Sequence, residues 1–400
     1  MKINWLFILG IPLNFALAMC FRIIAPLFRK ARSSGNAPWV IGGHRGRIYE
    51  DNAGALHSYI FEHTKQPIIW IASSPELLNE LRARGFAVLK RNSFAARLAI
   101  LRAPVLIYSH GEDDLDLFLL FFRKALGKRV YLGHSLSYLK AGEYTHPAFA
   151  KWSWFRRKLY VFLMTDFDLF PASAPAEKRN LDKQFRFRTE RILPCGGGAH
   201  IDKMLELRDK TPKNFITWFP TFRDKKAEQD NACEIIDNVL KSVSLHEYLE
   251  KENLRFAIAG HINSGKMQSK ISSLHPRISF HGAKEILPLM GSSICFISDY
   301  SGLALDWLCF ERPLILFPFD KEEFLKTRYL CVSLEALHYG PLIYSIEDFL
   351  KTLCSNAWKN LETYAKERKY WMNEVFPDLR TGYSQRCYET LRDMQKNFKH

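Results

Sequence analysis

Short apolar runs alternate with amphipathic segments along most of this 400-residue chain. Runs of four or five apolar residues, such as 68–72 and 105–108, are followed by polar turns and by segments whose apolar positions have helical spacing. Continuous apolar runs of this length are typical of strands buried on both faces. Their regular alternation with helices predicts an α/β fold in which parallel sheets are covered by helices on both sides.

One strand–helix–strand unit is especially clear. Apolar runs at 294–297 and 314–317 flank residues 303–310, whose apolar positions recur at helical spacing and which end shortly before Pro313. The turn at 298–302 therefore lies at the carboxyl end of a buried strand and at the start of a helix. Ligands of open α/β sheets bind at this end of the strands, and the free N–H groups of a helix N-terminus favour a phosphate group.

The polar residues of that turn have two competing explanations. Asp299 and Ser301 either help to bind a phosphate group or simply cap the helix. His134, His261 and Arg223 also follow apolar runs, so each is expected at the carboxyl end of a strand. Because parallel strands bring these ends to one edge of a sheet, the pattern favours phosphate binding over capping alone.

Each of these side chains has both a chemical and a structural explanation. A histidine can act as a general base or donate to a phosphate, and arginine offers a fork of N–H groups. Alternatively, His134 and His261 are structural or surface histidines, and Arg223 forms a solvated loop pair with Asp224. The basic run at 156–158, beside aromatic residues, faces lipid, an anionic acceptor or only solvent.

The chain is too long for one ordinary hydrophobic core, and the alternation of predicted strands and helices occurs in two successive stretches. We predict two Rossmann-like domains facing a central cleft, at 36–205 and 206–375, with a boundary in a charged stretch around Pro212. A last helix, within 376–400, is expected to return to the first domain. This arrangement, called GT-B, is that of many glycosyltransferases.

The first 35 residues do not show this alternation of strands and helices. Residues 3–20 are mostly apolar, are interrupted by Pro12 and Asn14, and precede a basic stretch. A cleaved signal peptide is disfavoured because apolar residues continue beyond Ala16 and Ala18, the small residues that could form a cleavage site. A short transmembrane helix, an interfacial helix and a buried core helix remain open. We predict a membrane-associating segment and linker at 1–35, which places the protein at the cytoplasmic face of the cell membrane, peripheral or single-pass.

The charge of the chain indicates the kind of partner, and its cysteine content indicates the redox compartment. The chain has 57 Lys+Arg against 42 Asp+Glu, a formal net charge of +15 that suits an anionic partner without choosing among nucleic acid, a phosphorylated substrate and an acidic membrane. Its eight cysteines form no C-x-x-C pair, which indicates a reducing compartment instead of a disulfide framework or zinc site.

Several standard chemical motifs are absent from the sequence. It has no G-x-G-x-x-G fingerprint, no P-loop and no H-E-x-x-H. Asp-x-Asp occurs at 114–116 and 166–168, where a helix cap and a strand-edge or loop role are the favoured explanations. No spacing typical of metal ligands stands out, so neither a metal nor a cofactor is expected.

Six segments together resemble the CDP-glycerol glycerophosphotransferases, which build teichoic acids and related polyol-phosphate polymers. The resemblance covers roughly residues 38–390. The matching segments are Val40 to Gly46 with Asp51-Asn52; Tyr131 to Ser135 with Leu139-Lys140; Phe219 to Asp224; Ala259 to His261; Ile297 to Gly302 with Asp306, Arg312-Pro313 and Phe319-Asp320; and Gly382 to Arg386.

The resemblance implies a GT-B fold and an enzyme that transfers glycerol phosphate, or a similar polyol phosphate, from CDP-glycerol. The acceptor would be a hydroxyl of a lipid-linked saccharide or polyol-phosphate polymer, in the synthesis of a teichoic-acid-like or capsule polymer. The membrane surface is an expected partner and nucleic acid is not. In-line attack on phosphorus needs mainly positioning and charge neutralisation.

The resemblance also implies roles for individual residues. His134 is expected to be the general base on the acceptor hydroxyl, with His261 as a second catalytic histidine. The donor diphosphate is expected to contact Arg223, Asp299, Tyr300, Ser301 and Gly302, and the acceptor side is expected to include Gly43, Arg45, Asp51, Asn52 and Ser135.

Departures from the family pattern leave the substrate open. Gly133 precedes His134 where the family has tryptophan, and Phe222 stands for another tryptophan. Another polyol or nucleotide is compatible with these changes. Two other function classes also remain: a glycosyltransferase that uses a nucleotide sugar, and a non-catalytic module that binds anionic lipid.

Overall fold

The computed structural model separates into two compact units. It describes residues 20, 23–116, 126–134, 136, 149, 151–158, 167–184, 189–221, 223, 226–260, 274–282, 285–328, 330–337, 339–380 and 382–396. Unit 1 consists of the described residues within 1–134, 152–200 and 382–400, and unit 2 of those within 135–151 and 201–381.

The strands of the described chain are all paired in parallel. Those of unit 1 are β1 (Trp39–Gly42), β2 (Ile68–Ala72), β3 (Val88–Lys90), β4 (Val105–Tyr108), β5 (Lys128–Tyr131), β6 (Phe170–Ala172) and β7 (Ile192–Pro194). Those of unit 2 are β8 (Phe215–Phe219), β9 (Arg255–Gly260), β10 (Ile278–Gly282), β11 (Ser293–Ser298) and β12 (Leu314–Leu316).

Helices separate most of these strands along the chain. They are α1 (Arg29–Arg32), α2 (Asp51–His63), α3 (Pro75–Ala83), α4 (Phe94–Arg102), α5 (Pro175–Gln184), α6 (His200–Arg208), α7 (Lys226–Leu240), α8 (Val243–Lys251), α9 (Ile286–Ser292), α10 (Leu303–Asp306), α11 (Lys321–Thr327), α12 (Ile346–Cys354), α13 (Ala365–Val375) and α14 (Tyr383–Lys396). The predicted α/β fold with parallel sheets is confirmed.

The main sheets of the two units have the same topology. Unit 1 has the order β3-β2-β1-β4-β5, and unit 2 has the order β10-β9-β8-β11-β12. The strand order therefore reverses between β1 and β4 in one unit and between β8 and β11 in the other. Ligands of doubly wound sheets bind at this reversal, beyond the carboxyl ends of the strands.

Local sequence explains where helices begin. The Ser74 and Ser93 hydroxyls accept hydrogen bonds from the Leu77 and Ala96 N–H groups, each at 3.1 Å, which caps α3 and α4. Helix α14 lies within the stretch 376–400, where the sequence predicts a last helix. The apolar spacing over 234–250 predicts one long helix, which is wrong, because the structure divides that region into α7 and α8.

The N-terminal segment differs from the prediction in its described part. Residues 1–19, 21 and 22 lie outside the described residues. Ala25 is buried in the core of unit 1, and the Arg32 guanidinium donates to the Leu101 carbonyl at 2.7 Å. Residues 25–32 thus belong to the unit 1 fold instead of forming an isolated anchor. Among the described residues, no helix has the length and apolar character needed to cross a membrane.

Candidate active site

At the reversal point of unit 2, the buried Asp299 carboxylate links two loops. The Thr221 N–H, in the loop after β8, donates to both Asp299 carboxylate oxygens at 2.9 and 3.1 Å. The Tyr300 N–H donates to the same carboxylate at 2.6 Å. Asp299 therefore connects the loops that follow β8 and β11.

The buried Arg223 side chain adds a second link between these loops. Its Nε donates to Asp320 Oδ2 at 2.7 Å, and its Nη2 donates to Asp320 Oδ1 at 2.8 Å and to Asp299 Oδ2 at 2.9 Å. Its Nη1 donates to the Thr221 carbonyl. Burial alone lowers the pKa of Arg223, but Asp299 and Asp320 outweigh burial and raise it, so the guanidinium stays charged.

Tyr300 is also fixed inside unit 2. Its ring stacks on Phe324 at 3.7 Å, and its hydroxyl donates to Asp320 at 3.0 Å. Burial, with the nearby carboxylates, raises the pKa of Tyr300 and keeps it protonated. The polar groups of Arg223, Asp299 and Tyr300 are engaged mainly with Thr221 and Asp320 and with one another, which favours a supporting role over the expected direct contact with a phosphate.

Two residues of the predicted donor turn keep some exposed surface. Ser301 is 8% exposed, and Gly302 is half-buried. The Ser301 hydroxyl accepts from the Leu303 N–H at 3.3 Å, so the predicted capping is present at Ser301. Asp299 has no such role in α10 and instead holds the loop after β8.

Three histidines follow three neighbouring strands of unit 1. His44 comes after β1, His110 after β4 and His134 after β5. The His44 and His110 rings lie 3.8 Å apart between centroids, and the His110 and His134 rings stack at 4.6 Å with 16° between their planes. His134 is exposed at the end of this row.

Asp51, the first residue of α2, lies beside this row of histidines and contacts His44. Its Oδ2 lies 2.5 Å from His44 Nε2. Burial alone would lower the pKa of His44, but the Asp51 carboxylate outweighs burial and raises it. The pKa of His110 falls to about 3 because of burial and the neighbouring His134 and His44, so its ring is neutral at pH 7.

Buried Asp114 fixes the loops that carry His44 and His110. Its Oδ1 accepts from the Arg45 N–H at 2.7 Å, and its Oδ2 accepts from the Ser109 and His110 N–H groups at 3.0 and 2.8 Å. The predicted helix cap at Asp114 is thus replaced by a bridge between two loops. The exposed Arg45 guanidinium contacts Asp113 at 2.6 Å.

Asn52 fixes the turn that carries His134. Its side-chain amide donates to the Gly133 carbonyl at 3.1 Å, and its oxygen accepts from the His200 N–H at 3.1 Å. Gly133 has a φ of +67°, a left-handed conformation that favours glycine. This explains why glycine precedes His134.

Gly43 permits the close approach of the two histidine-bearing loops. A Cβ added there would lie 2.9 Å from Ser109 Oγ and 3.4 Å from the Ala53 Cβ. We expect Gly43→Ala to destabilise unit 1 by about 1–3 kcal/mol through overpacking, seen as a lower melting temperature. Gly35→Ala is the control, because a Cβ there meets nothing within 4 Å. Equal melting of both variants would contradict the close approach.

The structure brings together most of the predicted acceptor-side residues. Gly43, Arg45, Asp51 and Asn52 lie around the strand ends that carry His134. Ser135, His261 and Asp224 lie outside the described residues. Sequence reasoning missed His44 and His110, although His110 follows the apolar run of β4 much as His134 follows that of β5.

One group of these side chains could hold a metal ion. His44, Asp51 and His110 each offer a ligand atom, and the three atoms lie within 4.8 Å of one another. No metal was expected from the sequence, because these ligands are spread over 66 positions, after two different strands and at the start of α2.

The family model for CDP-Glycerol:Poly(glycerophosphate) glycerophosphotransferase matches residues 40–391, which include both reversal points. The chain belongs to this family. The resemblance inferred from the motifs is confirmed.

Two relatives of known name match about half of this chain. Teichoic acid ribitol-phosphate polymerases TarL and TarK of Staphylococcus aureus (strain NCTC 8325 / PS 47) are 23% and 24% identical to the chain over 202 residues. Each match covers 49% of this chain, and 35% and 38% of the respective relatives, so the chain spans well under half of their lengths.

Similarity in structure extends over nearly the whole chain. The wall teichoic acid polymerase TagF superimposes with a TM-score of 0.70 at 16% identity, covering 97% of this chain and 96% of that one. A UDP-GlcNAc 2-epimerase from Neisseria meningitidis gives 0.51 at 14% identity, covering 89% and 99%. At these identities the likeness concerns the fold alone.

Proposed function

We propose that this glycerophosphotransferase-family chain transfers glycerol phosphate, or a similar polyol phosphate, from a CDP-activated donor to an acceptor hydroxyl. The acceptor is a lipid-linked saccharide or a polyol-phosphate polymer, and the product is a teichoic-acid-like or capsule polymer of the cell surface. The family match over residues 40–391 carries this proposal.

His134 is the general base of the proposed reaction. It takes the proton of the acceptor hydroxyl while the acceptor oxygen attacks the phosphorus that carries the polyol. A new O–P bond forms, the bond from that phosphorus to the bridging oxygen breaks, and CMP leaves. The exposed position of His134 and the fixed Gly133 turn support this role, since a base must reach its substrate in a defined orientation.

The donor binds at the reversal point of unit 2. Ser301 and Gly302 supply the direct contacts to the diphosphate, with His261 as a further candidate. Arg223, Asp299 and Tyr300 act as positioning residues that hold the turn in shape. The GT-B arrangement of the two units stays a prediction.

An enzyme that uses a lipid-linked acceptor must act at a membrane surface. Trp154 and Phe155 are 68% and 67% exposed and lie within a basic stretch in which the Arg156 guanidinium covers the Trp152 ring at 3.7 Å. Exposed aromatic and basic side chains suit the headgroup region of an anionic leaflet. The membrane surface and its cytoplasmic face stay predictions.

Mass spectrometry of reaction products tests the proposed function. Purified full-length chain is incubated with CDP-glycerol or CDP-ribitol and with lipid-linked acceptors presented in vesicles. We expect the acceptor mass to rise by whole polyol-phosphate units with one of these donors. Sugar transfer from a nucleotide-sugar panel would support the glycosyltransferase alternative, and no transfer from any donor would support a binding module.

A further inference from the structure

We propose that His44, Asp51 and His110 form a binding site for one divalent transition-metal ion of the Zn²⁺ class, beside His134. Imidazole nitrogen and carboxylate oxygen are both ordinary ligands of Zn²⁺. Two histidines and one carboxylate would leave at least one coordination position open, as in catalytic zinc sites. The binding itself does not depend on the proposed transferase activity.

The distances suit an ion after small side-chain rotations. Zn²⁺–ligand bonds of about 2.0–2.1 Å place tetrahedral ligand atoms about 3.3 Å apart. The three candidate ligand atoms lie within 4.8 Å of one another, and His44 Nε2 and Asp51 Oδ2 are 2.5 Å apart. An ion would separate the closest pair slightly, draw His110 inward and release the proton held between His44 and Asp51.

Residues behind the ligands orient them. Ser109 Oγ lies 2.9 Å from His110 Nδ1, and the Asp114 carboxylate lies 3.9 Å from the same nitrogen. An ion would select the His110 tautomer with its proton on Nδ1, which donates to Ser109, gives up the hydrogen bond from the His44 N–H at 3.4 Å and presents Nε2 to the ion. Ligating histidines commonly hold their second nitrogen in this way.

The backbone around the ligands is strained. His44, Arg45 and Asp51 have φ values of +49°, +55° and +58°, a left-handed conformation that costs non-glycine residues free energy. Strain of this kind persists where surrounding contacts enforce it, and it is concentrated at ligand clamps and active sites. Here Asp114 enforces it through the Arg45 N–H at 2.7 Å.

The position of the site suggests what an ion would contact. The His110 ring lies 4.6 Å from the His134 ring, so an open coordination position would be close to the general base. An anionic or hydroxyl oxygen of the acceptor is a suitable ligand for that position. This assignment of the ligand, unlike the metal site, rests on the proposed function.

Metal binding by the full-length chain tests the site. The protein is treated with a chelator, dialysed against Zn²⁺ and analysed for metal content, with circular dichroism to verify folding. We expect one ion per chain in the wild type, and loss of that ion in His44→Ala, His110→Ala and the more conservative His110→Gln. Zn²⁺ should also raise the melting temperature of the wild type and not that of His110→Gln.

His275→Ala is the matched control. His275 and His246 form another stacked pair, 4.6 Å apart, in which His275 Nε2 contacts the Glu250 carboxylate at 3.3 Å and His246 Nε2 donates to the Leu240 carbonyl at 2.7 Å. This variant should retain the ion. A wild type that binds no Zn²⁺, or a His110→Gln variant that binds as much as the wild type, would overturn the site. Product formation measured in parallel separates these outcomes from a failure of the transferase proposal.

Discussion

Replacement of His134 by alanine is expected to lower the rate of polyol-phosphate transfer by about 10²–10⁴-fold, the usual contribution of a general base. The side chain is exposed, so its removal opens no cavity in the core of unit 1. The fold should therefore be retained, and the loss should appear in the initial rate at saturating donor. Product mass spectrometry gives the rate, and circular dichroism gives the melting temperature.

His63→Ala is a suitable control for this experiment. His63 is likewise an exposed histidine of unit 1, at the end of α2, and its ring stacks on that of Tyr59. Its replacement should leave the rate within a factor of about two. Transfer at the wild-type rate by His134→Ala would exclude His134 as the base, while the family assignment would stand.

Replacement of Arg223 by methionine is expected to destabilise unit 2 by about 3–5 kcal/mol, because removal of one partner leaves buried carboxylates without their cation. Asp299 and Asp320 would lose the guanidinium that joins them. Amide hydrogen exchange in β8 and β11 should accelerate by about two to four orders of magnitude, since each 1.4 kcal/mol is tenfold.

Arg255→Met provides the comparison for Arg223→Met. Arg255 is an exposed arginine at the start of β9, and its replacement should change stability by less than about 0.5 kcal/mol. The experiment also separates two roles for Arg223. If its main role were direct contact with the donor diphosphate, Arg223→Met would weaken donor binding and leave exchange in β8 and β11 at the wild-type rate.

The sequence predicts the secondary structure well where local chemistry decides it. The apolar run of β4 is visible in a few residues and is found as expected. The start of α3 is equally local, because Ser74 caps the helix and Pro75 is its first residue. The break between α7 and α8 was not visible, because Lys241 and Ser242 are neither glycine nor proline and interrupt no strong pattern. Tertiary packing decides such a break.

The candidate site was predictable only in part. His134 follows a clear strand, and its exposure agrees with a chemical role. The partners of Arg223 were not visible, because Asp299 and Asp320 lie 76 and 97 positions away. Position at a strand end identifies a polar residue as part of a site, but it does not tell whether the side chain faces the ligand or supports the loop.

The discontinuity of unit 1 has a consequence for the order of events during synthesis on the ribosome. The described residues of unit 2 between 201 and 380 are made before α14, which belongs to unit 1. In unit 1, Trp39 Nε1 donates to Gln395 Oε1 at 2.8 Å, across 356 positions, and Leu391 of α14 is buried in the same core. We therefore expect unit 2 to acquire its core first and unit 1 to close only when α14 emerges.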